Sequence, residues 1–94
     1  MAEISVVSAR DTSGWTCTVQ VTEPNGQTRH SVSLSQGDFE QFTTGKATTP
    51  EDLVKRSFEF LLEREPKESI LRQFTLPMIS RYFPEYPAEI RKRL

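Results

Sequence analysis

The chain has 94 residues, with 12 basic and 13 acidic side chains and a formal net charge of −1 at pH 7. A chain of this length forms one domain, and a charge near zero gives no overall field that attracts nucleic acid or an anionic membrane. One cysteine excludes an intrachain disulfide, and no apolar stretch approaches the roughly 20 residues of a membrane span. We therefore predict a single cytoplasmic domain over residues 1–94, with no membrane association.

Three segments near the N-terminus alternate between apolar and polar side chains, as half-buried β-strands do. They cover residues 4–10, 15–22 and 28–34. A four-residue loop separates the first two segments, so an antiparallel pairing is expected to place Arg10 opposite Trp15.

The second and third strands are separated by Asn25-Gly26. This dipeptide between alternating segments is the strongest short signal for a two-residue hairpin loop, because a type I′ turn needs φ > 0 at both central residues. A loop centred on these two residues places His30 opposite Val21. It also places Cys17 opposite Leu34.

These two hairpins form a three-stranded antiparallel meander over residues 3–34. In the predicted registers the apolar side chains of all three strands share one face: Ile4, Val6, Trp15, Cys17, Val19, Val21, Val32 and Leu34. Such a face has to be covered, and residues 35–94 carry helical patterns. The fold class predicted is therefore α+β, with three to four C-terminal helices covering one face of the meander.

The helical part begins with a short segment that carries Phe39 and Phe42. Thr49 as an N-cap and Pro50 at the first helical position then predict a strong amphipathic helix over residues 50–65.

Pro66 ends that helix because the residue before a proline avoids the α conformation. Residues 67–74 are predicted to form another helix, with three side chains turned to the core: Ile70, Leu71 and Phe74. A further helix follows over residues 75–83, and a short basic helix over residues 88–94 ends the chain.

Catalytic chemistry has few candidate groups in this sequence. Cys17 and His30 are the only cysteine and histidine, and a nucleophilic pair needs them within hydrogen-bonding reach. The predicted register puts them two rungs apart on the sheet, and this separation favours a structural role for both residues. No spacing suggests a metal site or a glycine-rich phosphate loop. We therefore expect no enzyme activity, cofactor or metal.

One part of the chain resembles ribbon-helix-helix repressors in its layout: a strand at residues 29–35, a short helix, then the helix that starts at Thr49-Pro50. In that family, strands from two chains pair and read the major groove of DNA. The resemblance implies that Arg29, Ser31 and Ser33 are the outward, DNA-reading set. Here, however, the Asn25-Gly26 turn also gives the strand a partner within its own chain.

A second candidate for DNA binding lies at residues 68–83, which resemble a helix-turn-helix with Ser80 and Arg81 on the second helix. An ordinary helical corner that completes the core is the alternative. The run Arg91, Lys92 and Arg93 is suited to contact phosphates, although basic residues at a helix C-terminus also complement the helix dipole.

Protein contacts are the remaining class. Tyr82, Phe83 and Tyr86 place three aromatic rings within five residues, where they either close the core or line an interaction patch. In addition, the first or third strand forms an exposed sheet edge, through which two copies can pair as a homodimer.

The whole-chain pattern, from the threonine-rich meander to the aromatic turn, resembles small bacterial proteins of unknown function. That resemblance implies no activity. The function predicted is a non-catalytic binding or regulatory module that acts through protein contacts, and the alternative is a DNA-binding transcriptional regulator.

Overall fold

The computed structural model describes residues 2–94 and has the α+β fold that the sequence predicts. Its sheet contains four strands rather than three, and they lie side by side in the order in which they follow one another along the chain. The strands are β1 (Glu3–Arg10), β2 (Gly14–Glu23), β3 (Gly26–Ser35) and β4 (Gln73–Thr75). The helices are α1 (Gln36–Phe42), α2 (Pro50–Leu62), α3 (Met78–Tyr82) and α4 (Tyr86–Arg93), and a 3₁₀ turn spans Lys67–Ser69.

The predicted register of the first hairpin is confirmed, since Arg10 pairs with Trp15. Its loop is held by Asp11, whose carboxylate accepts hydrogen bonds from the backbone N–H groups of Ser13 at 2.9 Å and Gly14 at 2.8 Å. These bonds favour the charged carboxylate and lower the pKa of Asp11. A local side-chain contact thus fixes the turn and, with it, the register.

The predicted register of the second hairpin is wrong by two residues. Glu23 pairs with Gly26, so the loop is centred on Pro24 and Asn25 rather than on Asn25 and Gly26. Within residues 2–94 no residue other than glycine has a positive φ, and a type I′ turn needs one at both central positions. Proline instead fixes φ near −65°, which suits the first central position of a turn, and Gly26 follows with a φ of 141°.

Because of this shift, Cys17 and His30 lie one rung apart on the sheet instead of the two rungs that the sequence predicts. His30 lies opposite Val19 and Cys17 lies opposite Val32. Because the error is an even number of residues, every side chain keeps the face that the alternation predicts. The apolar face of the meander is therefore predicted correctly, even though the pairs between β2 and β3 are not.

The helix predicted over residues 67–74 is also wrong. Only the 3₁₀ turn forms there, and the chain then extends into β4, which pairs with β3 in parallel. The amide of Ser31 donates to the carbonyl of Arg72 at 2.7 Å, and the amide of Leu76 donates to the carbonyl of Ser33 at 3.0 Å. The polar backbone edge of β3 is thus satisfied by this segment, and that tertiary contact overrides the local helical spacing.

The other predicted helices are present, with shifted ends. Ser35 caps α1 by accepting from the amide of Asp38, and Thr49 caps α2 by accepting from the amide of Asp52. The second helix ends at Leu62 rather than at 65, and α4 begins at Tyr86 rather than at 88.

The core lies between the sheet and the helices. All five apolar side chains that β2 and β3 turn inward after Trp15 are buried: Cys17, Val19, Val21, Val32 and Leu34. Phe60, which the helical spacing places off the apolar face of α2, is buried as well. Its ring lies 5.4 Å from that of Tyr86 in α4 and 5.9 Å from that of Phe83, so Phe83 and the last helix provide the cover that the sequence does not reveal.

Candidate functional site

His30 has both ring nitrogens engaged. Nδ1 lies 2.8 Å from the carbonyl oxygen of Leu71, which only accepts, so we assign the proton to Nδ1. Nε2 then accepts from the hydroxyl of Thr28 at 2.8 Å. Burial lowers the pKa of His30, and the ring is therefore neutral near pH 7.

Cys17 is fully buried in the sheet. Burial raises the pKa of its thiol to about 11, and the thiol therefore remains protonated near pH 7. The nucleophilic form of cysteine is the thiolate, and a catalytic histidine must reach it. Here both nitrogens of His30 are bonded to Thr28 and Leu71 instead.

Acidification is expected to destabilise the fold partly through His30. Its pKa in the folded protein lies below the ordinary value of 6.5, so the unfolded chain takes up the proton more readily. The free energy of unfolding then falls as the pH drops below about 6.5. Urea unfolding at pH values on either side of this point should show a smaller loss for His30→Gln than for the wild type. Equal losses in the two proteins would contradict the prediction.

Over residues 2–94 no three His, Cys, Asp or Glu side chains converge in a way that suits a metal ion. No helix in the same range has both the length and the apolar character needed to cross a membrane.

The strand of the ribbon-helix-helix layout is an inner strand over residues 31–33, where β3 bonds to β2 on one side and β4 on the other. Arg29 is exposed on the open face of the sheet, and its guanidinium donates to the Gln20 side chain at 3.3 Å. The open face therefore presents Arg29, but the backbone that a two-chain ribbon needs is already bonded within the chain.

The helix-turn-helix candidate lacks its first helix, because β4 and the 3₁₀ turn occupy that part of the chain. Ser80 is half-buried and Arg81 is exposed on α3. In α4, Arg93 makes two hydrogen bonds to Glu63, at 2.8 and 2.6 Å, and Lys92 lies 3.4 Å from Glu89. Arg91 is exposed on the same helix. Two of the three cations in this run thus pair with carboxylates of their own chain.

The three aromatic residues that the sequence assigns either to core closure or to an interaction patch have three different environments. Tyr86 is fully buried, and its hydroxyl lies 2.6 Å from that of Ser57. Phe83 is half-buried against the core. Tyr82 is 64% exposed. The structure thus brings Tyr82 and Phe83 to the surface and places Tyr86 in the core.

Tyr82 and Phe83 line an apolar groove of about 310 Å³ between the end of α2, β4 and α3. Core side chains form part of its wall: Leu61, Ile70, Phe74 and Ile79. Leu71 also lines it and is 46% exposed, although the sequence predicts that this side chain faces the core. Large apolar side chains are therefore accessible to a ligand along this groove.

Glu65 provides the charged group of the groove. It lies in the turn after α2, where its amide donates to the carbonyl of Leu61 at 2.9 Å. Partial burial raises the pKa of its carboxyl group. Within residues 2–94 no cation pairs with Glu65, so the groove combines an apolar surface with a carboxylate that lacks a cationic partner there.

Lys67 fixes the chain where it enters this groove. Its side chain is almost fully buried, and Nζ donates to Glu68 at 2.7 Å, Glu23 at 2.9 Å and Asn25 at 3.1 Å. These carboxylates raise the pKa of Lys67, and the three contacts use all three ammonium protons. The hairpin loop is thereby tied to the 3₁₀ turn that precedes the groove.

Tyr82 and Phe83 are groove residues that the sequence identifies as an aromatic cluster, whereas it does not single out Glu65 and predicts that Leu71 faces the core. Adjacent Ile70 and Leu71 do carry a usable signal, because neighbouring residues in extended chain point to opposite sides. Once residues 70–74 are recognised as extended, one of the two must face outward.

No model of a known protein family matches the chain, and neither curated proteins nor solved structures give a match.

Proposed function

We propose that this protein is a non-catalytic binding module that holds an amphipathic segment of a partner protein in the groove between α2, β4 and α3. The observation that carries this proposal is the position of the exposed apolar residues. Across residues 2–94 the exposed large hydrophobic residues are Val7, Leu71 and Tyr82, and two of these three line one groove. Exposed apolar side chains that adjoin one another are typical of an interaction surface.

The small volume of the groove favours a few side chains of a polypeptide segment as its ligand. A volume of about 310 Å³ lies at the small end of the range for enclosed ligand sites, roughly 300–1,000 Å³. An amphipathic segment can place a few apolar side chains against Leu71, Phe74 and Tyr82 while its polar side remains in water.

The charge of the groove favours a basic residue in that segment. Glu65 is half-buried beside apolar side chains, so its carboxylate has lost part of its hydration. A charge-assisted hydrogen bond from a lysine or arginine of the partner compensates for this lost hydration. A partner acid at the same point would meet a like charge and is disfavoured.

Selection from a displayed library of random peptides tests this proposal. We expect the selected peptides to combine apolar residues with a lysine or arginine, and to bind at least about tenfold more weakly to Leu71→Asp and to Glu65→Lys, equivalent to about 1.4 kcal/mol. Both substitutions are at positions that are not fully buried, so the fold should be retained.

Thr18→Asp is the matched control, because Thr18 is exposed on the open face of the sheet. It should leave peptide binding unchanged. Failure to select any peptide, or selection of peptides that bind Leu71→Asp as well as the wild type, would overturn the proposal.

A further inference from the structure

The two edges of the sheet differ in how they are protected. β4 has three residues, whereas β1 has eight and forms the opposite edge. Sheets normally protect a long edge with lysine, proline or a bulge. β1 contains none of these, since its charged residues are Glu3 and Arg10 at the two ends and residues 4–9 are uncharged.

The backbone groups that point away from the sheet along β1 follow from the hairpin register. The amide of Asp11 donates to the carbonyl of Gly14 at 2.9 Å, which makes this a hydrogen-bonded pair. In an antiparallel ladder such pairs alternate with non-hydrogen-bonded ones. Odd-numbered residues of β1 therefore bond to β2. The outward N–H and C=O groups belong to Ile4, Val6, Ser8 and Arg10.

We propose that β1 pairs antiparallel with β1 of a second copy of this chain, about a two-fold axis that passes through Val7. The axis must be perpendicular to the sheet for the two open faces to be continuous, and residues of the same face then lie opposite each other. This places Val7 opposite its own copy and Ser5 opposite Ala9. The result is an eight-stranded sheet with the helices of both copies on the same side.

This register uses every outward backbone group of β1. Ile4 bonds to Arg10 of the second copy and Val6 bonds to Ser8, and the two-fold axis repeats both pairs. A register centred on Val6 instead places Arg10 opposite Ala2, which lies outside β1. The pairing covers residues 4–10 and stops before Glu3, whose exposed carboxylate stays in water.

Val7 supports the choice of a second copy as the partner. It is 68% exposed at the middle of an edge strand, and it belongs to a non-hydrogen-bonded pair in the proposed ladder. Side chains lie closest in such pairs, so the two Val7 side chains remove each other from water. Ser5, Ser8 and Ala9 bring no charge or large side chain into the contact.

Disulfide trapping tests the register. We expect Val7→Cys to give a covalent dimer under mild oxidation, because Cβ atoms of directly opposite residues lie about 4.5–5.5 Å apart and a small shift allows the bond. Ser5→Cys and Ala9→Cys should not cross-link alone but should do so when mixed. The native Cys17 is fully buried and does not interfere.

Thr18→Cys is the matched control, because Thr18 lies beside Val7 on the same face but on an inner strand. Cross-linking of Thr18→Cys as readily as Val7→Cys, or of Ser5→Cys alone as readily as the mixture, would overturn the register.

Light scattering tests the dimer itself. We expect the wild type to reach twice the 10.8 kDa of one chain as its concentration rises. Val7→Lys should raise the dissociation constant at least about tenfold, whereas Thr18→Lys should leave it unchanged. A wild type that stays monomeric up to millimolar concentration would overturn the proposal, and the groove at Leu71 would remain a separate question.

Discussion

Replacing Gly14 by alanine is expected to lower the free energy of unfolding by about 3 kcal/mol. A Cβ atom at this position would lie 2.1 Å from the carbonyl oxygen of Leu34, 2.7 Å from Cα of Ser35 and 2.9 Å from the amide nitrogen of Gln36. All three are backbone atoms, which cannot move aside as the end of a flexible side chain does. Urea unfolding followed by circular dichroism measures the loss.

The position of the clash explains the size of the effect. Gly14 pairs with Ser35, where β3 ends and α1 begins, and the amide of Gln36 donates to the carbonyl of Ser13 at 2.9 Å. Relief of the clash has to separate β2 from this junction. Gly37→Ala is the matched control, since a Cβ there meets nothing within 4 Å. It should stabilise α1 by up to about 1 kcal/mol. Equal effects of the two substitutions would contradict this account.

Alternation of side chains predicted the faces of the strands but not every register. Any even shift between β2 and β3 keeps apolar residues on one face, so the pattern cannot distinguish His30 opposite Val21 from His30 opposite Val19. The turn residues determine the register, and in this turn either Pro24 or Gly26 can share the two-residue loop with Asn25. The first hairpin was predictable because Asp11 binds its own loop and leaves no such competition.

Long-range contacts set the remaining limit on what the sequence predicts. The spacing of Ile70, Leu71 and Phe74 fits a helix, but the bonds from Ser31 and Ser33 of β3 hold this segment extended. The groove exists only because of that pairing. Tyr82 and Phe83 could therefore be identified as a local aromatic cluster, whereas the exposure of Leu71 depends on a strand far away in the sequence.

Replacing Tyr86 by alanine is expected to lower the free energy of unfolding by about 3–5 kcal/mol, as for other buried aromatic residues. Its ring is fully buried, with ring centroids 5.4 Å from those of both Phe42 and Phe60. Truncation leaves a cavity where α1, α2 and α4 meet, and these rings cannot fill it without moving the helices. The midpoint of urea unfolding gives the change.

Tyr86→Phe separates the ring from its hydroxyl. Ser57 donates its proton to the carbonyl of Leu53 at 2.7 Å, so the Tyr86 hydroxyl donates to Ser57 and burial raises its pKa. Without that hydroxyl, Ser57 still keeps its bond to Leu53, and the cost should be about 1 kcal/mol. Tyr82→Ala, at an exposed position, should change stability by less than about 0.5 kcal/mol. If Tyr86→Ala were as mild as Tyr82→Ala, Tyr86 would not support the core, and the aromatic segment would have to be reconsidered as one continuous surface patch.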